Sequence, residues 1–195
     1  MKNKIIFLDH DGVMALSSNW GTRFKKKGAT GTIDDEFDNF DKKAIKILNE
    51  IIEVTDCEIV ISSDWKHFCT LAQMQDLYRM RGVIKVPIDF TAGVIGGKYE
   101  YFRRDSELEE TRCIEIKEWL DNHPTVTKWV AVDDMELGLH FSFNTLQPTI
   151  KEQRTIELTP ENGYQWGLRN FVRCPNSSEG IKQSGIKEKI IKFLK

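Results

Sequence analysis

Asp9 and Asp11 close the run IIFLDHDGV, where an apolar stretch stops on two acids with Gly12 directly behind them. Side chains two residues apart at the end of an extended strand project to the same side, so these like charges repel unless a cation lies between them. Two other polar sets follow apolar runs in the same way. Ser62 and Ser63 end EIVISS at 58–63, and Asp133 and Asp134 end KWVAVDD at 128–134. Placed side by side on parallel strands, all three sets meet at the carboxyl edge of one sheet, where ligands of open α/β folds gather. Four carboxylates there call for Mg²⁺, a hard cation that takes oxygen ligands and phosphate substrates. The serine hydroxyls then offer neutral hydrogen bonds to phosphoryl oxygens. His10, between the two acids, points to the opposite side in an extended chain and receives no role.

The elements that must carry these groups are legible as a pattern. KIIFLD, EIVISS and KWVAVDD are short, β-branched or aromatic and almost continuously apolar, as strands buried on both faces are. Between the first two, Ala44, Ile45, Ile47, Leu48, Ile51 and Ile52 share one helical face behind Asp41, a capping residue. Further helices are predicted over 66–80 and 106–121, the latter stopped by Asn122, His123 and Pro124. This alternation predicts a three-layer Rossmann-like α/β sandwich with a mainly parallel sheet and right-handed crossovers. Residues 14–40, with their glycines, the lysine run Lys25 to Lys27 and an acidic run, read as a flap or hairpin. Residues 89–105 read as an irregular loop. After about residue 150, TIELT suggests an edge strand, GYQWGL a loop and IKEKIIKFLK a basic terminal helix.

Composition narrows the function classes. The 195 residues suit one domain, 1–195, with a single core, and a net charge of -2 provides no overall basic field for nucleic acid. No apolar run is long enough for a membrane span or a signal peptide, so a soluble, cytoplasmic protein without a membrane partner is expected. Cys57, Cys69, Cys113 and Cys174 lack CxxC spacing, which argues against zinc and redox chemistry. Taken singly, several residues have ordinary readings. Ser62 and Ser63 suit a turn or cap. Arg112 and Lys117 suit solvated helix charges among Glu107, Glu109, Glu110, Glu115 and Glu118. Trp65 and His67, just after the second set, are placed to touch substrate, but Trp65 reads better as a packed aromatic and His67 as a surface histidine.

Taken together and in this order, the motifs resemble the haloacid dehalogenase (HAD) superfamily of phosphotransferases over roughly residues 1–140. DHDGV is similar to its first motif, IVISS to its second and VAVDD to its fourth. SSDWK, TRCIEIKEWL and the DD strand resemble, more narrowly, small phosphatase-like domains found in or near nucleic-acid end-repair proteins. The resemblance implies that Asp9 is the nucleophile and that Asp11 is the general acid and base. It implies Mg²⁺ held by the Asp9 carboxylate, the Asp11 backbone carbonyl and Asp133 or Asp134, with Ser62, or Ser63 in its place, on the phosphoryl group. The third motif is ordinarily a lysine. Here the helix before the DD strand offers Arg112 and Lys117, and Arg112 is favoured for its bidentate guanidinium.

The interval from Asp11 to Ser62 is filled by the flap and one helix, and that from Ser62 to Arg112 by a helix, a strand and a loop, which leaves no room for a large cap domain. An uncovered site admits bulky esters such as a phosphorylated nucleic-acid end or a nucleotide. No protein partner is identifiable. A receiver-like phosphoacceptor is a rival, but its acceptor belongs on a middle strand, where this chain has Ser62. A non-catalytic HAD-fold binding module is opposed by the presence of both Asp9 and Asp11, and a Mg²⁺ nuclease is a further enzyme alternative.

Overall fold

The computed structural model describes residues 4–19, 40–92, 105–143, 157–158 and 163–195. Its main sheet holds β1 (Lys4–Leu8), β2 (Glu58–Ile61), β3 (Asp89–Phe90), β4 (Lys128–Asp133) and β8 (Phe171–Arg173) in the order β3-β2-β1-β4-β8. Every neighbouring pair is parallel. Successive side chains of a strand face opposite sides, and the two faces of β1 show it. Ile6 and Leu8 pack into a core with helices α1 (Lys42–Thr55), α2 (Leu71–Met80) and α4 (Ile186–Leu194). Ile5 and Phe7 pack on the other side against Cys113, Ile116 and Trp119 of α3 (Asp105–Asp121). Both faces of the sheet are therefore covered, which is why its strands read as continuous apolar runs. This is the expected three-layer Rossmann-like sandwich.

Local chemistry sets the ends of the helices. The Asp41 carboxylate accepts from the Lys43 and Ala44 amides at 2.9 Å each, starting α1. That helix ends where Asp56 turns into the left-handed region at φ 56° and its amide donates to the Ile52 carbonyl. The single helix predicted over 66–80 is instead two pieces, a 3-10 turn at Asp64–His67 and then α2. The break has a cause. Thr70 and Gln73 form a reciprocal capping box that begins a new helix, and Ser63 caps the 3-10 turn.

The second half of the chain departs from expectation. GYQWGL contributes a strand, not only a loop: β7 (Gly163–Trp166) lies between β5 (His140–Phe143) and β6 (Glu157–Leu158) in a separate antiparallel sheet. Glu157 and Leu158 of the TIELT segment form an edge strand, as expected, but of this second sheet. An edge of the main sheet is β8, whose three residues are too few to show a period. Of the expected flap, residues 20–39 lie outside the described residues, as do 93–104 of the expected loop. Val13 to Leu16 are buried, and Ala15 bridges both Asp11 and Phe40.

Candidate active site

Strand order changes direction at β1, flanked by β2 on one side and β4 on the other, so the carboxyl ends of these three strands open a crevice. Leu8 is in register with Ile61 and with Val132. The next residues, Asp9, Ser62 and Asp133, consequently stand at one level across three adjacent strands. The Ser62 amide donates to the Leu8 carbonyl and the Asp9 amide to the Val132 carbonyl, at 3.0 Å each. By the alternation that sends Phe7 toward α3, Asp9 points toward α3 as well.

Arg112 meets it there. Its Nη1 donates to Asp9 Oδ1 and to Asp133 Oδ2, both at 2.9 Å, and its Nη2 donates to Asp64 Oδ1 at 2.9 Å. Asp9, Asp133 and Arg112 are all buried, whereas the Asp64 side chain is 52% exposed. The Nη2 arm is thus tied to the one partner in water, where an ion pair holds little energy and yields most readily to another anion. Lys117, five residues on, is turned about 140° around the helix from Arg112. It lies partly exposed and makes no hydrogen bond or ion pair with the site among the described residues.

The electrostatics are those of an anionic crevice with a buried floor. Burial, then the charge of Asp133, pushes the Asp9 carboxyl well above the usual carboxylate range, while Arg112 pulls the other way. Burial and Asp133 likewise push Asp134 up to about 6. Burial alone would favour neutral Arg112, but Asp133, Asp9 and Asp64 outweigh it and keep the guanidinium charged. One guanidinium does not balance Asp9, Asp11, Asp133 and Asp134. One oxygen from each of Asp9, Asp133 and Asp134 falls within 4.8 Å of the others. An all-oxygen donor set of this charge suits a hard divalent cation such as Mg²⁺.

Gly12 explains why a glycine follows the acids. Its φ is +72°, and a Cβ there would stand 1.9 Å from Asp134 Oδ2. The close approach brings the turn after β1 against the end of β4.

The two serines differ in their partners. Ser62 Oγ is buried and has no hydrogen-bond partner among the described residues, an arrangement that costs free energy until an acceptor arrives. Ser63 Oγ accepts from the Trp65 amide at 3.5 Å as the cap of the 3-10 turn. Asp11 in turn receives the Trp65 indole N–H on Oδ2 at 3.0 Å.

Sequence reasoning missed Asp64, Lys66 and Glu115, and for Trp65 it favoured packing over contact with substrate. Lys66 pairs with Glu115 and donates to Thr91 Oγ1 at 2.9 Å. Burial lowers the Lys66 pKa, with Glu115 opposing. Glu115 had read as a solvated helix charge, yet it is buried, one turn beyond Arg112 on the same face. The available signal was the spacing of Arg112, Glu115, Ile116 and Trp119, a helical face in which charge and apolar residues mix. His67 is exposed.

A parallel α/β sheet with an aspartate ending its first strand, a hydroxyl ending its second and paired acids ending its fourth defines a HAD-superfamily domain, here with no large cap among the described residues. More closely, the chain belongs to the family described as the HAD domain in Swiss Army Knife RNA repair proteins, whose model matches residues 5–165. No curated protein and no solved structure matches it. No helix among the described residues is long and apolar enough to cross a membrane.

Proposed function

We propose that this chain is one HAD-like phosphatase domain, a Mg²⁺-dependent phosphomonoesterase that works through an aspartyl-phosphate and accepts phosphorylated nucleic-acid ends or nucleotides. The observation that carries the reading is the buried Arg112 between Asp9 and Asp133, with the Ser62 hydroxyl, unpartnered among the described residues, one strand away at the same level. Asp9, Asp133 or Asp134, and the Asp11 carbonyl would hold Mg²⁺, which when bound offsets the repulsion between a phosphate dianion and a carboxylate.

The residues divide the work. An Asp9 oxygen attacks phosphorus in line as the bond to the leaving oxygen breaks, and the Asp11 carboxyl gives its proton to that oxygen, releasing an alcohol. Water then attacks phosphorus and gives a proton to Asp11, the Asp9–phosphorus bond breaks, and inorganic phosphate leaves. Arg112 and Ser62 hold the phosphoryl oxygens through both steps. The family's tie to RNA repair and the lack of a large cap both favour a polynucleotide or nucleotide ester over a small sugar phosphate.

The test is phosphate release from an aryl phosphate with and without Mg²⁺, comparing wild type with Asp9→Asn, followed by 3′- and 5′-phosphorylated oligonucleotides against sugar phosphates. Metal-dependent release lost in Asp9→Asn is the expected result. Metal-independent release, or sugar phosphates turned over far faster than oligonucleotides, would count against the mechanism or the substrate class respectively.

A further inference from the structure

The residue between the two acids and the residue that touches the second acid belong to one buried aromatic assembly. His10 is fully buried, its Nε2 is 2.8 Å from the Tyr78 hydroxyl, and its ring lies 4.6 Å from that of Trp65 and 5.2 Å from that of Phe40. Phe40 stacks on Trp65 at 5.7 Å with the planes 25° apart. Trp65 is only 2% exposed, yet its indole Nε1 reaches out of this packing to Asp11 Oδ2 at 3.0 Å. Asp9 and Asp11 therefore have different supports: Arg112 for the first, an indole anchored in the opposite core for the second.

An indole N–H donates and never accepts, so it cannot relay a proton. What it can do is fix the rotation of the carboxylate that does. An aspartate at a turn has a soft terminal torsion, and a wandering acid loses the alignment that proton transfer requires. Trp65 is held against such wandering by its Ser63-capped turn and by the rings of His10 and Phe40, so its N–H is a fixed point.

We infer that Trp65 is a positioning residue that holds the Asp11 carboxyl in line with the leaving oxygen, so that this enzyme is built for esters whose leaving group must be protonated. Those are alkyl esters, the class to which sugar hydroxyls of nucleotides and nucleic-acid ends belong, whereas an aryl oxygen leaves without help. The inference rests on the phosphatase reading above and adds to it the leaving-group class and the residue that enforces it.

The test compares kcat/KM, which reports steps up to alcohol release, on an aryl phosphate and on a nucleoside 3′-phosphate. Trp65→Phe should lower it about ten- to hundredfold on the nucleotide and leave it within about twofold on the aryl ester. In an Asp11→Asn background, Trp65→Phe should have no further effect on the nucleotide, because the acid it positions is gone. If Trp65→Phe does not fold, as judged by thermal unfolding, benzothienylalanine at position 65 keeps the ring shape, removes only the N–H and should show the same split. An equal loss on both esters, or additive losses in the double variant, would overturn the inference and leave Trp65 a packing residue. A wild type inactive on both esters with Mg²⁺ would overturn the phosphatase reading itself.

Discussion

Arg112 and Asp9 lie 103 residues apart in the chain and meet at 2.9 Å in the interior, with Asp133 on the same guanidinium nitrogen. Removing one partner of such a buried cluster strands the others. Arg112→Ala should cost about 3–5 kcal/mol in metal-free protein and lower kcat/KM by about a hundredfold or more. Since a cation at Asp9 and Asp133 offsets the same charges, Mg²⁺ should raise the melting temperature of Arg112→Ala more than that of wild type. Denaturant unfolding with and without Mg²⁺ checks it, and equal Mg²⁺ shifts in the two proteins would speak against a shared charge cluster.

Gly12→Ala should damage the site from the backbone side. The added methyl would collide with the Asp134 carboxylate at 1.9 Å in a conformation that already disfavours side chains. The expected result is lower stability and at least tenfold weaker Mg²⁺ binding, on the order of the loss when a metal site's supporting residues are disturbed. Calorimetric Mg²⁺ titration reads it directly, and unchanged affinity would mean that Asp134 is not needed for the metal.

Ser62 and Ser63 should separate cleanly. Ser62→Ala removes a hydroxyl that has no partner among the described residues, so stability should hold or rise slightly while phosphate turnover falls. Ser63→Ala removes the cap of the Asp64–His67 turn and should cost about 1 kcal/mol. Thermal melts beside steady-state kinetics distinguish them, and a destabilised Ser62→Ala would contradict the assignment.

Asp41 gives a pH signature away from the site. Burial pushes its carboxyl up, but the Ala44 amide, Lys182 and the Lys43 amide outweigh this and lower its pKa below the ordinary 3.8. A depressed folded-state pKa means stability that is fully present above the unfolded value and lost as pH falls through the folded one. Asp41→Ala should therefore cost about 1 kcal/mol at neutral pH, and the gap to wild type should close as the pH drops below 3.8. A gap that stays constant into strong acid would assign the cost to something other than the carboxylate.

Much of the site was readable because chemistry and strand signal coincide in sequence. Asp9, Ser62 and Asp133 each follow an apolar run, and a strand covered on both faces shows itself by continuous hydrophobicity without any knowledge of its neighbours. Register then needs only that the three strands be parallel. The helix face around Ala44, Leu48 and Ile51 was equally plain, since its buried residues recur at helical spacing. A strand was expected between Ser62 and Arg112, but the bounds of β3 and the whole of β8 were not readable, because two or three residues carry no period and pair only where the sheet already exists.

The choice between Arg112 and Lys117 shows where sequence stops. Both sit on one helix in a charged stretch, and α3 buries Arg112 and Glu115 beside Cys113, Ile116 and Trp119, which blurs the polar and apolar faces that would mark its inner side. The sequence by itself determined the parallel strands and the acids and hydroxyls at their ends, a donor set that suits a divalent cation, because these depend on residue type and local spacing. Tertiary structure alone decided the rotation of α3 that brings Arg112 to Asp9, the contact of Trp65 with Asp11 across 54 residues, and the pairing of Lys66 with Glu115. Those depend on how one packed layer seats on another, a property of the assembled core that no local window of the chain contains.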